Sequence, residues 1–512
     1  MTATVGGGHA TRVEMRGIAK RFGAVQALRG VDFTLGRGEI HGLLGENGAG
    51  KTTLMNVLSG LYRADAGAIA IDGRPAEIRA PVDALRHGIG MVHQHVELIP
   101  TFTALENILL GSEGSAWRLA LARGRTSVES IARRFGLPVA LDVPVGGLAA
   151  GVQQKVEILK ALHRGVDVLV LDEPTTMLTP QEVDGLFATL RTLAERGVTV
   201  VFITHKIREI VANCDRVTIM RAGAVVATVD RASASEARLV ELMIGARDAP
   251  SAAAPGTAGA VAARTVLETR GLTVMGVGRI RLVDGCSLAV RAGELVGIAG
   301  VAGNGQRELA EAIVGVLAAD GAIVVAGRDV SAAGVVERIA AGLVYVPEDR
   351  IHDGILPGLS VAENFVLGLH PYAFRRRFDA RVARELAERA IVEYGIQARD
   401  AAARAVELSG GNIQKLLVAR AMALAGRAHG VALVAMNPTR GLDVRATAFV
   451  RGRLVDFARG GGGVLLISED LDELLQLCDR VVVMYRGTLM ADVFRANFDS
   501  YRIGALMAGV AR

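Results

Sequence analysis

The strongest constraint on how this chain can fold is that most of it is written twice. Gly38-Glu39-Ile40-His41-Gly42-Leu43-Leu44-Gly45 returns as Gly293-Glu294-Leu295-Val296-Gly297-Ile298-Ala299-Gly300, an offset of 255 residues (45 to 300). Leu105-Glu106-Asn107 is echoed by Ala362-Glu363-Asn364, and Cys214-Asp215-Arg216-Val217 by Cys478-Asp479-Arg480-Val481 at an offset of 264 (214 to 478). Small insertions account for the drift. Solenoid repeats recur every 20 to 50 residues or so because each is one supersecondary unit, so a period this long means duplicated whole domains. The length of 512 residues likewise exceeds what one hydrophobic core serves. Two domains are therefore expected at 11–247 and 264–507, joined by residues 248–263, whose small residues and prolines read as a flexible tether.

Within each copy strands alternate with helices. Residues 181–195 place Val183, Leu186, Phe187, Leu190 and Leu193 on one helical face, and the β-branched run 198–203 follows. Alternation of this kind predicts α/β domains built on largely parallel sheets. Although 51% of the residues are hydrophobic, they fall in short runs such as Val168-Leu169-Val170-Leu171, far below the roughly 18 to 20 that cross a bilayer. Residues 1–10 show no basic region followed by an apolar core, so a cytoplasmic location is expected. Cys214, Cys286 and Cys478 are scattered without metal or disulfide spacing. The net charge of +5 includes no run of five basic residues, and aromatics make up only 4%, so nucleic-acid binding is not expected.

Gly45-Glu46-Asn47-Gly48-Ala49-Gly50-Lys51-Thr52 fits the phosphate-binding pattern G-x-x-x-x-G-K-[ST]. An apolar strand precedes it, and Thr53 opens the rest of a helix in which Leu54, Met55, Val57 and Leu58 are apolar. Phosphates rest well at such a helix N-terminus, where unpaired amides and the positive dipole end favour anions. Lys51 would reach the β- and γ-phosphates and the Thr52 hydroxyl would ligate Mg²⁺. Downstream, Val168-Leu169-Val170-Leu171 runs into Asp172-Glu173, two carboxylates at a strand end. Asp172 is placed to hold Mg²⁺ and Glu173 to activate the water that attacks a γ-phosphate. Gln94 and His205 follow other apolar strands, where a phosphate sensor would sit. Phe22, 29 residues before Lys51 (22 to 51), could stack on a base. Leu408-Ser409-Gly410-Gly411-Asn412, ahead of a helix over 413–423, is a second helix start suited to an anion.

Together these pieces resemble the ATP-binding cassette (ABC) ATPases, over nearly all of residues 11–507 outside the linker. The match is nearest to the fused two-cassette ATPases of sugar and nucleoside importers, in particular the nucleoside branch. The stretches that carry it include Gln153-Gln154-Lys155-Val156-Glu157-Ile158-Leu159-Lys160, Leu178-Thr179-Pro180-Gln181-Glu182, Val346-Pro347-Glu348-Asp349-Arg350 and Asn437-Pro438-Thr439-Arg440-Gly441-Leu442-Asp443-Val444-Arg445-Ala446-Thr447. The resemblance implies two tandem P-loop ATPase domains, each a mostly parallel sheet core with a helical subdomain. It implies ATP and Mg²⁺ as cofactors, with Gln94 joining Thr52 and Asp172 around the metal and His205 and Glu173 carrying the chemistry.

In that family two cassettes pair head to tail, so each ATP lies between one P-loop and the other signature turn. The second P-loop here has Gln306 and Arg307 in place of lysine and hydroxyl, and Met436, Asn437, Glu469 and Glu348 replace Asp172, Glu173, His205 and Gln94. The region around Val277 offers no aromatic counterpart of Phe22. The first signature is also weakened, reading Leu148-Ala149-Ala150-Gly151-Val152, and its aspartate position holds Thr179, which with Glu182 spells a capping box. Head-to-tail pairing would collect all these losses in one composite site. Ser409, Gly410, Gly411, Asn412 and Asp443 would then face the intact Lys51 pocket, leaving one competent site.

The implied partners are two membrane permease subunits and, indirectly, an extracytoplasmic substrate-binding lipoprotein. The implied location is the cytoplasmic face of the membrane. The apolar stretch 95–117, with Val96, Leu98, Ile99, Phe102, Leu109 and Leu110, is expected to dock on them, with core packing as the competing assignment. A soluble tandem cassette acting on ribosomes or nucleic acid is the rival reading, opposed by the short linker and the degraded pocket. A sensor that binds nucleotide without turnover is opposed by Glu173 and His205.

Overall fold

The computed structural model describes residues 10–23, 25–46, 48–93, 97–111, 121–176, 178–204, 206–244, 264–276, 278, 280–374, 377–427 and 429–509. The linker call at 248–263 therefore lies outside the described residues. The chain divides into two compact units, 1–249 and 250–512.

The first unit runs β1 (Thr11–Phe22), β2 (Val25–Gly36), β3 (Ile40–Gly45), α1 (Lys51–Leu58), β4 (Ala66–Ile71), β5 (Arg74–Ala76), α2 (Pro81–Arg86), β6 (Ile89–Val92), α3 (Ala104–Leu109), α4 (Leu121–Phe135), α5 (Ala150–His163), β7 (Val168–Asp172), α6 (Pro180–Glu195), β8 (Thr199–Thr204), α7 (Ile207–Asn213), β9 (Arg216–Arg221), β10 (Ala224–Asp230) and α8 (Glu236–Ile244). The second runs β11 (Thr265–Met275), β12 (Arg281–Arg291), β13 (Leu295–Ala299), α9 (Gln306–Val314), β14 (Asp320–Val325), β15 (Arg328–Asp329), α10 (Val335–Ala340), β16 (Leu343–Val346), α11 (Val361–Phe365), α12 (His370–Ala373), α13 (Ala380–Glu393), α14 (Gly410–Arg427), β17 (Ala432–Met436), α15 (Val444–Arg459), β18 (Gly463–Ser468), α16 (Leu471–Leu477), β19 (Arg480–Tyr485), β20 (Thr488–Phe494) and α17 (Ser500–Met507).

The six-stranded sheet of the first unit has the order β10-β9-β3-β8-β7-β6, and that of the second, read in the same sense, is β20-β19-β13-β18-β17-β16. The sequence echo is thus an echo of topology. All neighbours are parallel except the edge strands β10 and β20, which run antiparallel. Strands β3, β7 and β8 are buried at every position, which is why they are written as continuous apolar runs rather than as alternation. Each unit also carries a four-stranded antiparallel sheet, β2-β1-β4-β5 and β12-β11-β14-β15, which periodicity alone had not singled out. In the first unit a core including Val13, Met15, Leu43, Met55, Val170 and Ile203 joins this sheet to the parallel one, with α1 between them.

The Cys-Asp-Arg-Val echo now has a physical cause. Asp215 and Asp479 lock the start of the central strand, accepting from the amides of Ile40 and Leu295 at 2.9 and 2.8 Å. Arg216 and Arg480 pair with the buried carboxylates of Glu39 and Glu294. Cys214 and Cys478 are buried, and a Cβ added to Gly42 or Gly297 would come within 3.1 or 2.9 Å of their sulfurs.

A helical layer completes each unit, with α3, α4 and α5 packed on one another in the first and α11, α13 and α14 in the second. Of the residues read as a docking surface, Leu109 is interior, Leu98, Phe102 and Leu110 are half-buried, and Ile99 is exposed. The core assignment therefore holds for Leu109, because α3 turns it inward. His95, Val96 and residues 112–120 lie outside the described residues. Among the described residues no helix is long and apolar enough to cross a membrane.

Each helical layer begins with the same knot. Thr103 caps α3 and Glu106 returns the bond to the Thr103 amide at 2.8 Å; Ser360 and Glu363 do likewise at α11. Asn107 is wholly buried, accepting from the Ile99 amide at 2.8 Å and donating to the carbonyls of Ile99, Phe102 and Thr103. Asn364 makes the matching set around Leu356, Leu359 and Ser360. Asn107→Ala would leave that amide and those carbonyls without partners. It should lower the stability of its unit by about 1 to 3 kcal/mol, read as a shifted urea midpoint at unchanged slope. Asn364→Ala should do the same in the other unit.

Candidate functional site

In the first unit the functional side chains gather at the carboxyl edge of the parallel sheet, where ligands bind in open α/β sheets. Gly45 ends β3 within 2.4 Å, measured from an added Cβ, of the Met220 carbonyl, so no side chain fits there. Gly50, the residue before α1, has φ +99°, and a Cβ on it would meet the Ala27 carbonyl at 2.8 Å. Gly48 is also left-handed, with φ +80°. These positions let the loop fold tightly onto the start of α1, where the first helical amides lack partners within the helix. Ala49 is buried, whereas Asn47 lies outside the described residues.

Lys51 is buried and curls back over this loop, its Nζ donating to the carbonyls of Gly45 at 2.7 Å and Glu46 at 3.0 Å. Burial lowers its pKa against the pull of Glu173, Asp172 and Glu46. A phosphate would give this ammonium a charge-assisted partner in place of neutral carbonyls. Thr52, at the exposed side of α1, donates its Oγ1 to Asp172 Oδ2 at 3.0 Å, and Thr53 beside it is half-buried. A hydroxyl and a buried carboxylate so placed are the hard oxygen donors that suit Mg²⁺. Burial raises the pKa of Asp172, the Thr52 hydrogen bond opposes this, and neighbouring Glu173 adds to the rise.

Glu173 follows with φ +47°, and its amide donates to the Ile203 carbonyl on β8 at 2.9 Å. A glutamate in the left-handed region is strained, and such strain clusters where side chains must be aimed. Phe22 ends β1 at 43% exposure, edge-on to Tyr62 with ring centroids 5.2 Å apart, so its ring is available for stacking. Gln94 and His205 lie outside the described residues; in the sequence Gln94 is two residues past the end of β6 and His205 directly follows β8.

The second unit keeps the frame and changes the groups. Gly305 repeats φ +99° before α9, and Asn437 repeats the turn after β17 with φ +41° and an amide bond to the Ile467 carbonyl at 2.7 Å. Gln306 donates to the Val301 carbonyl at 3.0 Å, where Lys51 donates to Glu46 in the first unit. Arg307 is engaged by Glu311 at 2.6 Å and Asp353 at 3.4 Å. Arg440 pairs with Glu348 and lies 3.6 Å from Glu469, and Asn437 Oδ1 accepts from the Glu469 amide at 2.9 Å. A cleft of about 440 Å³ remains, lined by Arg307, Tyr345, Glu348, Arg350, Met436 and Arg440 among others. At the positions of Lys51 and Thr52 stand Gln306 and Arg307, and among the described residues ion pairs occupy this pocket. Val277 lies outside the described residues.

The signature turns differ in the same way. α14 opens at Gly410, just after Ser409, whose Oγ accepts from Asn412 Nδ2 at 2.8 Å, while Asn412 Oδ1 holds the Gln397 amide at 2.8 Å. Gly411 is a neighbour of Asp443, an added Cβ lying 3.7 Å from its Oδ2, and Asp443 caps α15 through the Ala446 amide at 2.7 Å. Arg350, named in the sequence but given no role, brings its guanidinium within 3.1 Å of the Cβ position of Gly410. In the first unit α5 starts after Ala149 without any side-chain cap, and Thr179 and Glu182 form the expected capping box of α6.

The ABC transporter family model matches residues 28–176 and again 283–427. The chain is 41% identical to the "Glucose import ATP-binding protein TsgD13" of Haloferax volcanii, over 97% of this chain and 96% of that protein. It is 38% identical to the "Guanosine import ATP-binding protein NupO" of Bacillus subtilis, over 97% of both. With the "Nucleoside import ATP-binding protein NupA" of Lactococcus lactis the identity is 38% over 98% of both chains.

The raised pKa of Asp172 has a stability consequence. The native state binds that proton more tightly than the unfolded chain, so Asp172 stabilises most at low pH and this is lost as pH rises through its raised value. In the nucleotide-free protein Asp172→Asn should therefore raise the melting temperature at pH 8. The gain should shrink as pH falls through the raised value of Asp172, with Glu173 and Glu46 still facing Lys51. Melting curves across that range check it.

Proposed function

The chain belongs to the ABC transporter family, and from that premise we propose that it is the ATP-hydrolysing motor of an importer for a nucleoside or a simple sugar. It works beside membrane permease subunits, two in our reading, supplied by a substrate-binding lipoprotein on the other side of the membrane. It sits at the cytoplasmic face. The cassettes span 11–247 and 264–507, tethered by 248–263. The relatives named above carry guanosine, nucleoside and glucose import in their names, which supports the substrate class without choosing within it.

The observation that carries this reading is the uneven distribution of parts. Lys51, Thr52, Asp172 and Glu173 stand together in the first unit, while Ser409, Gly410, Gly411, Asn412 and Asp443 stand together in the second. Paired head to tail, the two sets complete one site. Phe22 stacks on the base, residues 45–53 and the signature turn enclose the phosphates, and Thr52, Asp172 and Gln94 hold Mg²⁺. When bound, that ion neutralises charge on the phosphoryl oxygens. Glu173 takes a proton from the attacking water, and His205 contacts the γ-phosphate. Closure on ATP and opening after hydrolysis move the permease. The weakened set, residues 300–307 and 148–152, serves at most as a nucleotide-holding or structural pocket, without turnover.

Losing a general base costs about 10²- to 10⁴-fold, so Glu173→Gln should all but stop steady-state ATPase measured with membrane partners. Gln306→Ala should leave it nearly unchanged. Equal losses in the two variants would overturn the one-site reading.

Ser409→Ala should likewise depress turnover strongly, because that hydroxyl meets the γ-phosphate only in the closed pair. Ala149→Ser should change little. A silent Ser409→Ala with a severalfold gain from Ala149→Ser would reverse the pairing.

A further inference from the structure

Beyond the groups that would touch nucleotide, one carboxylate ties the catalytic turn to its neighbour strand. Thr175, two residues after Glu173, donates its Oγ1 to Glu209 Oε2 at 2.9 Å. Thr204, the last residue of β8, donates to the same oxygen at 3.4 Å. Both threonines are 1% exposed, so their hydroxyls need a partner inside the protein. The Lys206 amide donates back to Thr204 Oγ1 at 3.0 Å, and Lys206 Nζ lies 3.5 Å from Glu209 Oε1. A single side chain in the first turn of α7 thus gathers the turn after β7 and the segment on either side of position 205.

The second unit builds the same clamp. Thr439 donates to Glu473 Oε1 at 2.7 Å, Ser468 to Glu473 Oε2 at 2.8 Å, and the Asp470 amide to Ser468 Oγ at 3.1 Å. Every member is displaced by 264 residues (175 to 439, 204 to 468, 209 to 473). There Glu473 also binds Arg451 Nε at 3.0 Å. This copy has Gln306, Met436, Asn437 and Glu469 where the first has Lys51, Asp172, Glu173 and His205, so it provides the clamp without those groups.

We propose that Glu209 is a positioning residue for ATP hydrolysis, fixing the Glu173 turn and the end of β8 against each other so that Glu173 is held in place at the sheet edge. This rests on the reading of Glu173 as the base. The left-handed backbone at Glu173 persists only where its surroundings over-determine it, and the Thr175–Glu209 bond is charge-assisted and partly shielded from solvent. A small misplacement of a reacting group costs rate far more than it costs binding.

The test is steady-state ATPase with membrane partners present, on Glu209→Ala, Glu209→Gln, Thr175→Val and the mirrored Ser468→Ala. Glu209→Ala and Thr175→Val should lower kcat about 10- to 100-fold, with KM for ATP within about twofold of the starting protein. Glu209→Gln, whose amide oxygen still accepts from both hydroxyls, should recover most of the rate. Ser468→Ala should leave kcat in place. If Glu209→Ala does not fold, Thr175→Val decides alone. Normal kcat with only a lowered melting temperature, or an equal fall in kcat for Ser468→Ala, overturns the proposal. Glu173→Gln in the same assay separates the two claims. Turnover surviving that change removes the base reading and this inference with it, whereas its loss alongside normal kcat in Glu209→Ala removes this inference alone.

Discussion

The amide of Glu173 donates to the Ile203 carbonyl, the last ladder bond between β7 and β8, and the chain then turns left-handed at Glu173 itself, the residue after the Asp172 carboxylate. The turn comes where β7 ends, with Asp172 beside the Thr52 hydroxyl of α1. The second unit makes the same bond from Asn437 to Ile467. Asparagine tolerates a positive φ more readily than glutamate. The first unit thus keeps the more strained residue at this turn, and the second the easier one.

The electrostatics of the two pockets follow from what stands on this common frame. In the first unit a buried ammonium and two carboxylates share a small space, with burial pushing the Lys51 pKa down and the Asp172 pKa up. Ligand phosphate and a divalent cation would relieve both shifts, a preorganised arrangement of charge. The second unit has satisfied its charges internally. Arg440 pairs with Glu348 near Glu469, and Arg307 with Glu311 and Asp353. Its cleft remains open, but the Arg307 and Arg440 charges that line it are already paired within the protein.

The repeated residues divide by role. Asp215 and Asp479, Asn107 and Asn364, and Glu209 and Glu473 each make matching hydrogen bonds to backbone or hydroxyl groups in the two units. They belong to the frame, which is why they recur in a copy whose phosphate-site residues differ. Lys51 and Glu173 do not recur, and the frame is indifferent to them: Gln306 still reaches a loop carbonyl and Asn437 still makes the turn.

The sequence by itself determined the duplication, the α/β class, the P-loop, the strand-end carboxylates and the division of intact parts between the copies. These are local patterns of glycine, apolar runs and charge whose period and spacing are fixed by backbone geometry. It also placed the Thr179 capping box, since a cap involves only residues three apart. Tertiary structure alone decided the rest. The antiparallel sheets depend on pairing β1 with β4 across 40 or more residues (Val13 to Ile71, Arg16 to Ala68), and alternation in one strand does not choose a partner. Leu109 turned inward while Ile99 stayed exposed because α3 packs on α4 and α5, which hydropathy cannot foresee. The ion pairs that fill the second pocket join residues 92 and 46 positions apart (348 to 440, 307 to 353), and Glu209 lies 34 residues from Thr175. No local pattern records such meetings. They exist because parallel strands bring the ends of distant segments to one edge, and the packing behind that edge selects which side chains touch.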